Sequence, residues 1–540
     1  MMHRIYKITI LTVILFGYPY ATFAQDTVFN RVVTVERDYQ PEVQEAQAIA
    51  TTPTFIQYTP QLNPVVYSTF SEPLSMGYSL HALPMSKTHF RPNGPEPLNG
   101  LLDGALGYRN THLLFGYRLR QKNNTSLDLY ANHDAYWGKD ALSQSAVGLQ
   151  VTRHFRRAEL YFNLAGENEL YWQEPVLGMN VLLNAKANIG IKATNNSPFQ
   201  YRIQTGYNAF IANQLAVEHH VKSHVDLWWT NQLHSAGVKA YVQNTFYSPL
   251  DAYTIITSPR HNMRIEPFYA YIGNNIHLHV GVNLDMNVGT GTLLSAIDGL
   301  SFAPSPNLHF DWHTDNNIFH IYADAQGNYG LGSWEEYMGY NRYLNVREGL
   351  ASPEPRAYTP VDAQVGFKIR PIRTLLIDLY GGYTMMQNAC NMKTVYQEDA
   401  LDYQLWLSDY QRWKVGATMH YHYRDILELN VAGNYYFWQN DNTIYDRPNW
   451  DARARLDIHF NSQWSIYSDN YFAGSRIAKT THGDKTIKPM ICLNLGGQYI
   501  INRWLSVYLQ LNDYLNRRDE IFYGYKSQGI HFLLGVKYRF

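Results

Sequence analysis

From about Asn99 onward, apolar and polar residues alternate in one stretch after another. In "NIHLHVGVNLDM", Ile276, Leu278, Val280, Val282, Leu284 and Met286 alternate with His277, His279, Gly281, Asn283 and Asp285. "DARARLDIHF" sets Ala452, Ala454, Leu456, Ile458 and Phe460 against Arg453, Arg455, Asp457 and His459, and "WLSVYLQLND" repeats the pattern. Successive side chains of a strand point to opposite faces, so each segment reads as a strand with one apolar and one polar face. Alternation alone suits a soluble sandwich as well as a membrane barrel. Segment length favours the barrel, because many of these runs exceed the roughly 5–6 residues of an ordinary strand and reach the 9–11 that a bilayer requires. Tight polar links such as "RQKNNTS", "GNN" and "NRRDE" alternate with longer ones such as residues 330–356. Tyr and Trp gather near segment ends, as in "ELYWQE", "LWWT", "NYYFWQ" and "NRWLSVY", where aromatic girdles meet the bilayer interfaces. The expectation is an all-β, transmembrane antiparallel β-barrel of about 22 strands (range 18–22) over residues 99–540.

Composition narrows the class further. Only 16% of the 540 residues are charged and 15% are aromatic, against about 25% charged in ordinary soluble domains. The formal net charge is -1, which gives no electrostatic case for nucleic acid. Residues 1–24 read as a cleaved secretory signal. Arg4 and Lys7 precede a short apolar core at residues 8–17, and "ATFA" places Ala24 before Gln25. Residues 25–98 hold nine of the chain's 23 prolines, so they read as an extended arm, periplasmic or in the barrel lumen. Cys390 and Cys492 lack metal-motif spacing, and whether they pair stays open.

The last residues, "GIHFLLGVKYRF", keep one apolar face to the final atom: Ile530, Phe532, Leu534, Val536, Tyr538 and Phe540. Every strand edge in a bilayer must be paired, so this strand is expected to zip to the first. Gly535, Tyr538 and Phe540 match the closing signal that barrel-assembly machinery recognises, except that apolar Leu533 stands where that signal usually has a polar residue. With the arm's "VVTVERDYQPEVQEAQAI" and the barrel entry "LNGLLDGALGYRNTHLLFGYRL", the chain resembles TonB-dependent-receptor-type outer membrane proteins. The resemblance implies solute passage across the outer membrane of a Gram-negative cell. It also makes Val32, Val33, Thr34, Val35 and Glu36 similar to a TonB box, which pairs with its partner by strand addition. The implied partners are outer-membrane lipid, the assembly machinery, an unidentified small solute, and TonB or a surface lipoprotein. The chain departs from the family in its plug: 25–98 is too short and proline-rich for a globular one, so the arm and inward loops, or a separate protein, are expected to fill the lumen. A scaffold, adhesin or secretion-complex partner that does not transport is the alternative.

On the polar face, His277, His279, His420, His422 and His459 accompany Asp285, Asp457, Arg453 and Arg455. Each histidine pair shares a face, which allows metal ligation, but a polar barrel interior needs the same residues. No metal, cofactor or catalytic residue is assigned, since no nucleophile elbow or comparable signature is present. "VEHH" (217–220) reads as strand or rim. Residues 330–356 carry Trp334, Glu335, Glu336, Tyr337, Tyr340 and Tyr343. They read as an ordered loop folded over the pore, or as an aromatic surface that binds sugars or a partner.

Overall fold

A computed structural model describes residues 99–540 except 122–123, 139–140, 174–177, 195–196, 213–215, 250–258, 289–294, 298–299, 331, 345–357, 398–399 and 440–444. The signal sequence, the arm and the TonB-box-like residues 32–36 lie outside the described residues. The chain from Gly100 forms 22 antiparallel wall strands, from Leu505–Asn512 at 8 residues to Ala400–Tyr423 at 24. Each pairs with its sequence neighbour, and the last pairs with the first to close the ring.

Closure occurs where the alternation of the last residues demands it. Strand His531–Arg539 pairs with Gly100–Tyr108 from Leu101↔Arg539 to Tyr108↔Phe532. Gly100 N–H donates to Phe540 O at 2.7 Å and Phe540 N–H to Gly100 O at 3.0 Å. Phe532, Leu534, Val536, Tyr538 and Phe540 point outward and are exposed, while His531, Leu533 and Gly535 are buried inward. The outward faces of the other strands repeat this. Val147, Leu164, Ile189, Val238, Val280, Val365 and Leu509 form an exposed apolar belt, the surface that bilayer hydrocarbon would cover.

Both ends of the barrel chain lie at the rim with short turns, such as 273–275 and 373–374. Short turns are periplasmic and long loops extracellular in outer-membrane barrels, which orients the molecule. Asn124 and Asn317 adopt positive φ (54° and 53°) in these turns, a conformation asparagine tolerates. Phe155, Phe199, Trp229, Phe460 and Trp464 face outward at this rim. At the other rim Trp172, Tyr435, Phe437 and Trp450 do the same. The aromatic clusters of the sequence are therefore only half girdle. Alternate members (Tyr171, Tyr436 and Trp438) turn inward. "NRRDE" is no tight link but part of the long extracellular segment 513–530.

One packing device recurs on the lumenal face. Six tyrosines lie over the glycine directly opposite on the adjacent strand: Tyr130/Gly148, Tyr161/Gly190, Tyr322/Gly366, Tyr380/Gly416, Tyr467/Gly496 and Tyr508/Gly535. A Cβ at any of these glycines would meet the ring at 2.0–2.4 Å. The missing side chain is thus the seat of the ring, which shields the backbone there.

Candidate functional site

Inward-facing polar residues of adjacent strands meet in ladders. Arg453 holds Asp469 through two bonds (3.0 and 2.7 Å), and Arg455 holds Asp457 (2.7 and 2.9 Å). Asp285 is fully buried, 3.0 Å from Arg264 Nε. Further round, Tyr436 donates to Asp451 (2.7 Å), Tyr380 to Asn434 (2.7 Å) and Lys414 to Gln364 (2.7 Å). Burying such groups unpaired would cost several kcal/mol, so their mutual satisfaction stabilises the wall.

The histidines singled out from sequence are part of this wall. His279 Nε2 is 3.2 Å from Glu266, His277 meets His313 edge-on at 6.3 Å, and His420 bonds Asn430. His422 sits opposite Glu428, and His459 ends its strand opposite Ser465. The two histidine pairs lie on strands Ile276–Val288 and Ala400–Tyr423, which are not neighbours. Among the described residues no group of three or more His, Cys, Asp or Glu could hold a metal ion. Cys492 is a free thiol, and the Cys390 side chain lies outside the described residues.

The distinctive site is at the extracellular mouth. Segment 332–344 folds inward around the helix Trp334–Tyr340. Ser333 caps it, accepting from Glu336 N–H at 3.0 Å, the usual role of an N-cap serine. The wall strand Ala216–Asn231 holds the same end. Glu218, 2% exposed, accepts the N–H of Trp334 (3.1 Å) and Glu335 (3.0 Å), with His220 Nε2 3.2 Å away. Glu335 accepts from Asn184 (2.7 Å) and Asn208 (2.6 Å) on two further strands. "VEHH" therefore lies in a strand, one of the two readings expected of it, and its Glu218 and His220 anchor the loop.

From the opposite side comes segment 513–530 with its hairpin Glu520–Phe522/Tyr525–Lys526. The two segments meet in aromatic contacts: Tyr343 stacks on Tyr525 with centroids 3.7 Å apart. Tyr171 packs edge-on against Tyr343 and donates to Arg342 O at 2.6 Å. Tyr403 packs on Tyr525 and Phe522 and donates to Tyr523 O at 2.6 Å. Tyr171 belongs to the fifth wall strand and Tyr403 to the sixteenth, half a circumference apart in a ring of 22. The chain Tyr171–Tyr343–Tyr525–Tyr403 therefore crosses the mouth from wall to wall, and its rings belong to one buried cluster.

Two more extracellular segments brace this lid. Arg476 donates to Ile521 O (2.6 Å) and Glu520 O (2.5 Å). Arg447 lies over the Tyr340 ring, 5.0 Å from its centroid. Between them, Asp446 is 3% exposed, and burial pushes its carboxyl up to about 6 despite both arginines. The inward fold of 332–344 matches the loop expected over the pore. Tyr403, Tyr525 and Arg476 carried no local signal, because each acts through a partner more than thirty residues away.

No protein-family model matches the chain, and no curated protein does. Solved structures do match its fold. Over 83% of this chain and 81% of theirs, similar structures include the copper transporter OprC (12% identity, TM-score 0.63). A mutant of the ferric enterobactin receptor PfeA from Pseudomonas aeruginosa matches the same shares at 12% identity and TM-score 0.61. So does the siderophore receptor PirA from Acinetobacter baumannii, at 9% and 0.62. The protein has the closed 22-stranded barrel fold of TonB-dependent receptors.

Proposed function

We propose that this protein is an outer-membrane barrel through which a small solute passes, closed at rest by the aromatic lid. The carrying observation is the chain of contacts from Tyr171 to Tyr403 across the mouth of a polar-lined barrel. A polar interior favours water and hydrophilic solutes, and a mouth shut by loops rather than by the wall itself can open without disturbing the barrel. Resemblance to transporters and receptors supports the same reading, with a TonB-type partner engaging residues 32–36 and a solute that is not specified.

Single-channel conductance in planar bilayers tests it. The mature protein is expected to be closed, and a Tyr343→Ala/Tyr525→Ala variant to show discrete openings, larger when residues 25–98 are also removed. If every one of these forms stays closed, passage is refuted and a permanently sealed scaffold takes its place. The extent of the resting lid is the observation that favours that second reading.

A further inference from the structure

Tyr343 and Tyr525 come from segments on opposite sides of the barrel mouth, yet their rings overlap. The centroids are 3.7 Å apart and the planes 13° from parallel. Aromatic pairs usually settle at about 4.5–7 Å, offset or edge-on. The flanking tyrosine pairs of the lid obey that rule: Tyr171–Tyr343 is edge-on at 5.9 Å and Tyr403–Tyr525 tilted at 5.8 Å. Both overlapping rings are buried. Tyr340, half-buried, reaches the same cluster through Phe522, which packs on Tyr403.

A phenol gives up one electron together with its proton more readily than almost any other side chain. The phenoxyl radical that results carries much of its unpaired spin on the ring carbons ortho to oxygen, and two such radicals join at those carbons. Rings that overlap as Tyr343 and Tyr525 do hold their ortho carbons near contact distance. Burial keeps solvent and more distant tyrosines from intercepting the radicals. Tyr340, Tyr403 and Tyr171 form a relay along which an oxidising equivalent can reach the central pair from the surface.

We propose that Tyr343 and Tyr525 are a site of oxidative modification: a peroxide-derived one-electron oxidant joins them as dityrosine and locks the lid. Each phenol loses one electron and its proton. The two radicals form one carbon–carbon bond, and a proton passes from each joined carbon back to its oxygen, which restores both rings. The pair thus gives up two electrons and two protons, and hydrogen peroxide takes them up to become two waters. A covalent tie between distant residues removes freedom from the undocked state, as a disulfide does, so two loops held by packing become one closed strap. The inference rests on the docked lid of the proposed function, and not on what passes beneath it.

Hydrogen peroxide with a haem peroxidase, applied to the full-length protein in detergent, tests it. The monomer should gain the blue emission of dityrosine and lose the mass of two hydrogen atoms. Its digest should contain one linked peptide pair, holding Tyr343 and Tyr525. Protease access to segment 332–344 should fall in the linked fraction. Tyr343→Phe keeps the ring but forms no phenoxyl radical, so the linked pair should disappear. Tyr525→Phe serves the same purpose should the first variant fail to fold, which heat-modifiable migration in gels reports. Denatured protein given the same oxidant should show no preference for this pair. Absence of the 343–525 pair from the oxidised folded protein, its persistence in a phenylalanine variant, or an equal yield from denatured protein overturns the inference. Conductance is not read in this experiment, so passage through the barrel is judged separately.

Discussion

Gly535 shows how a single position serves two constraints. It belongs to the terminal signal read from sequence, and in the barrel its missing Cβ accommodates Tyr508, whose ring atoms would lie 2.2 Å from one. Tyr508 in turn donates to Asp103 Oδ1 at 2.7 Å, and Lys537 Nζ is 3.5 Å from Asp103 Oδ2. First and last strands are thereby joined by side chains as well as backbone. Overpacking of this kind costs about 1–3 kcal/mol, so Gly535→Val should lower the temperature at which the barrel loses its compact gel migration. Tyr508→Ala added to it should recover part of the loss, and full additivity of the two would show that the ring is not the cause. Asp103→Leu leaves Lys537 and the Tyr508 hydroxyl without their acceptor. Removing one partner of a buried pair costs about 3–5 kcal/mol, and the same melting assay should show the larger decrease.

At the scale of elements, the lid is a docked assembly whose free energy can be moved without touching the wall. Tyr343 and Tyr525 are 5% and 8% exposed, and truncating a buried aromatic costs about 3–5 kcal/mol. Their alanine variants should make segment 332–344 accessible to added protease while heat-modifiable migration stays unchanged. Asp446 gives the lid a pH dependence. Its folded value, about 6, lies above the ordinary 3.8, so the docked lid favours the protonated acid. That contribution is fully present below pH 4 and is lost as pH rises through 6. At 1.36 kcal/mol per unit it amounts to about 3 kcal/mol. Protease access to the lid should therefore increase from pH 4 to pH 7, and Asp446→Asn should flatten the profile at the low-access level. A profile that rises equally in the variant would assign the effect to another group.

For the whole molecule, the longest hairpin, Leu375–Gln397 with Ala400–Tyr423, exceeds the roughly 9–11 residues of a membrane strand twofold. Its excess length projects beyond the bilayer and carries Tyr403 to the lid. Much of this architecture was legible in the order of residues. Wall strands, their inward and outward faces and the closure at Phe540 follow from a period of two, because every strand pairs with its sequence neighbour and the bilayer rewards one face. The inward-folded loop segment 332–344 was legible as well, through its aromatic content. "NRRDE" misled, since a polar run of five residues looks the same in a turn and in a folded loop. What only the tertiary structure decided is what the sequence separates widely: Tyr171 against Tyr343, Tyr343 against Tyr525, and Glu218 beneath Trp334. Local periodicity fixes which way a side chain points. It carries no information about which loop, arriving from the far side of a closed ring, will meet it there.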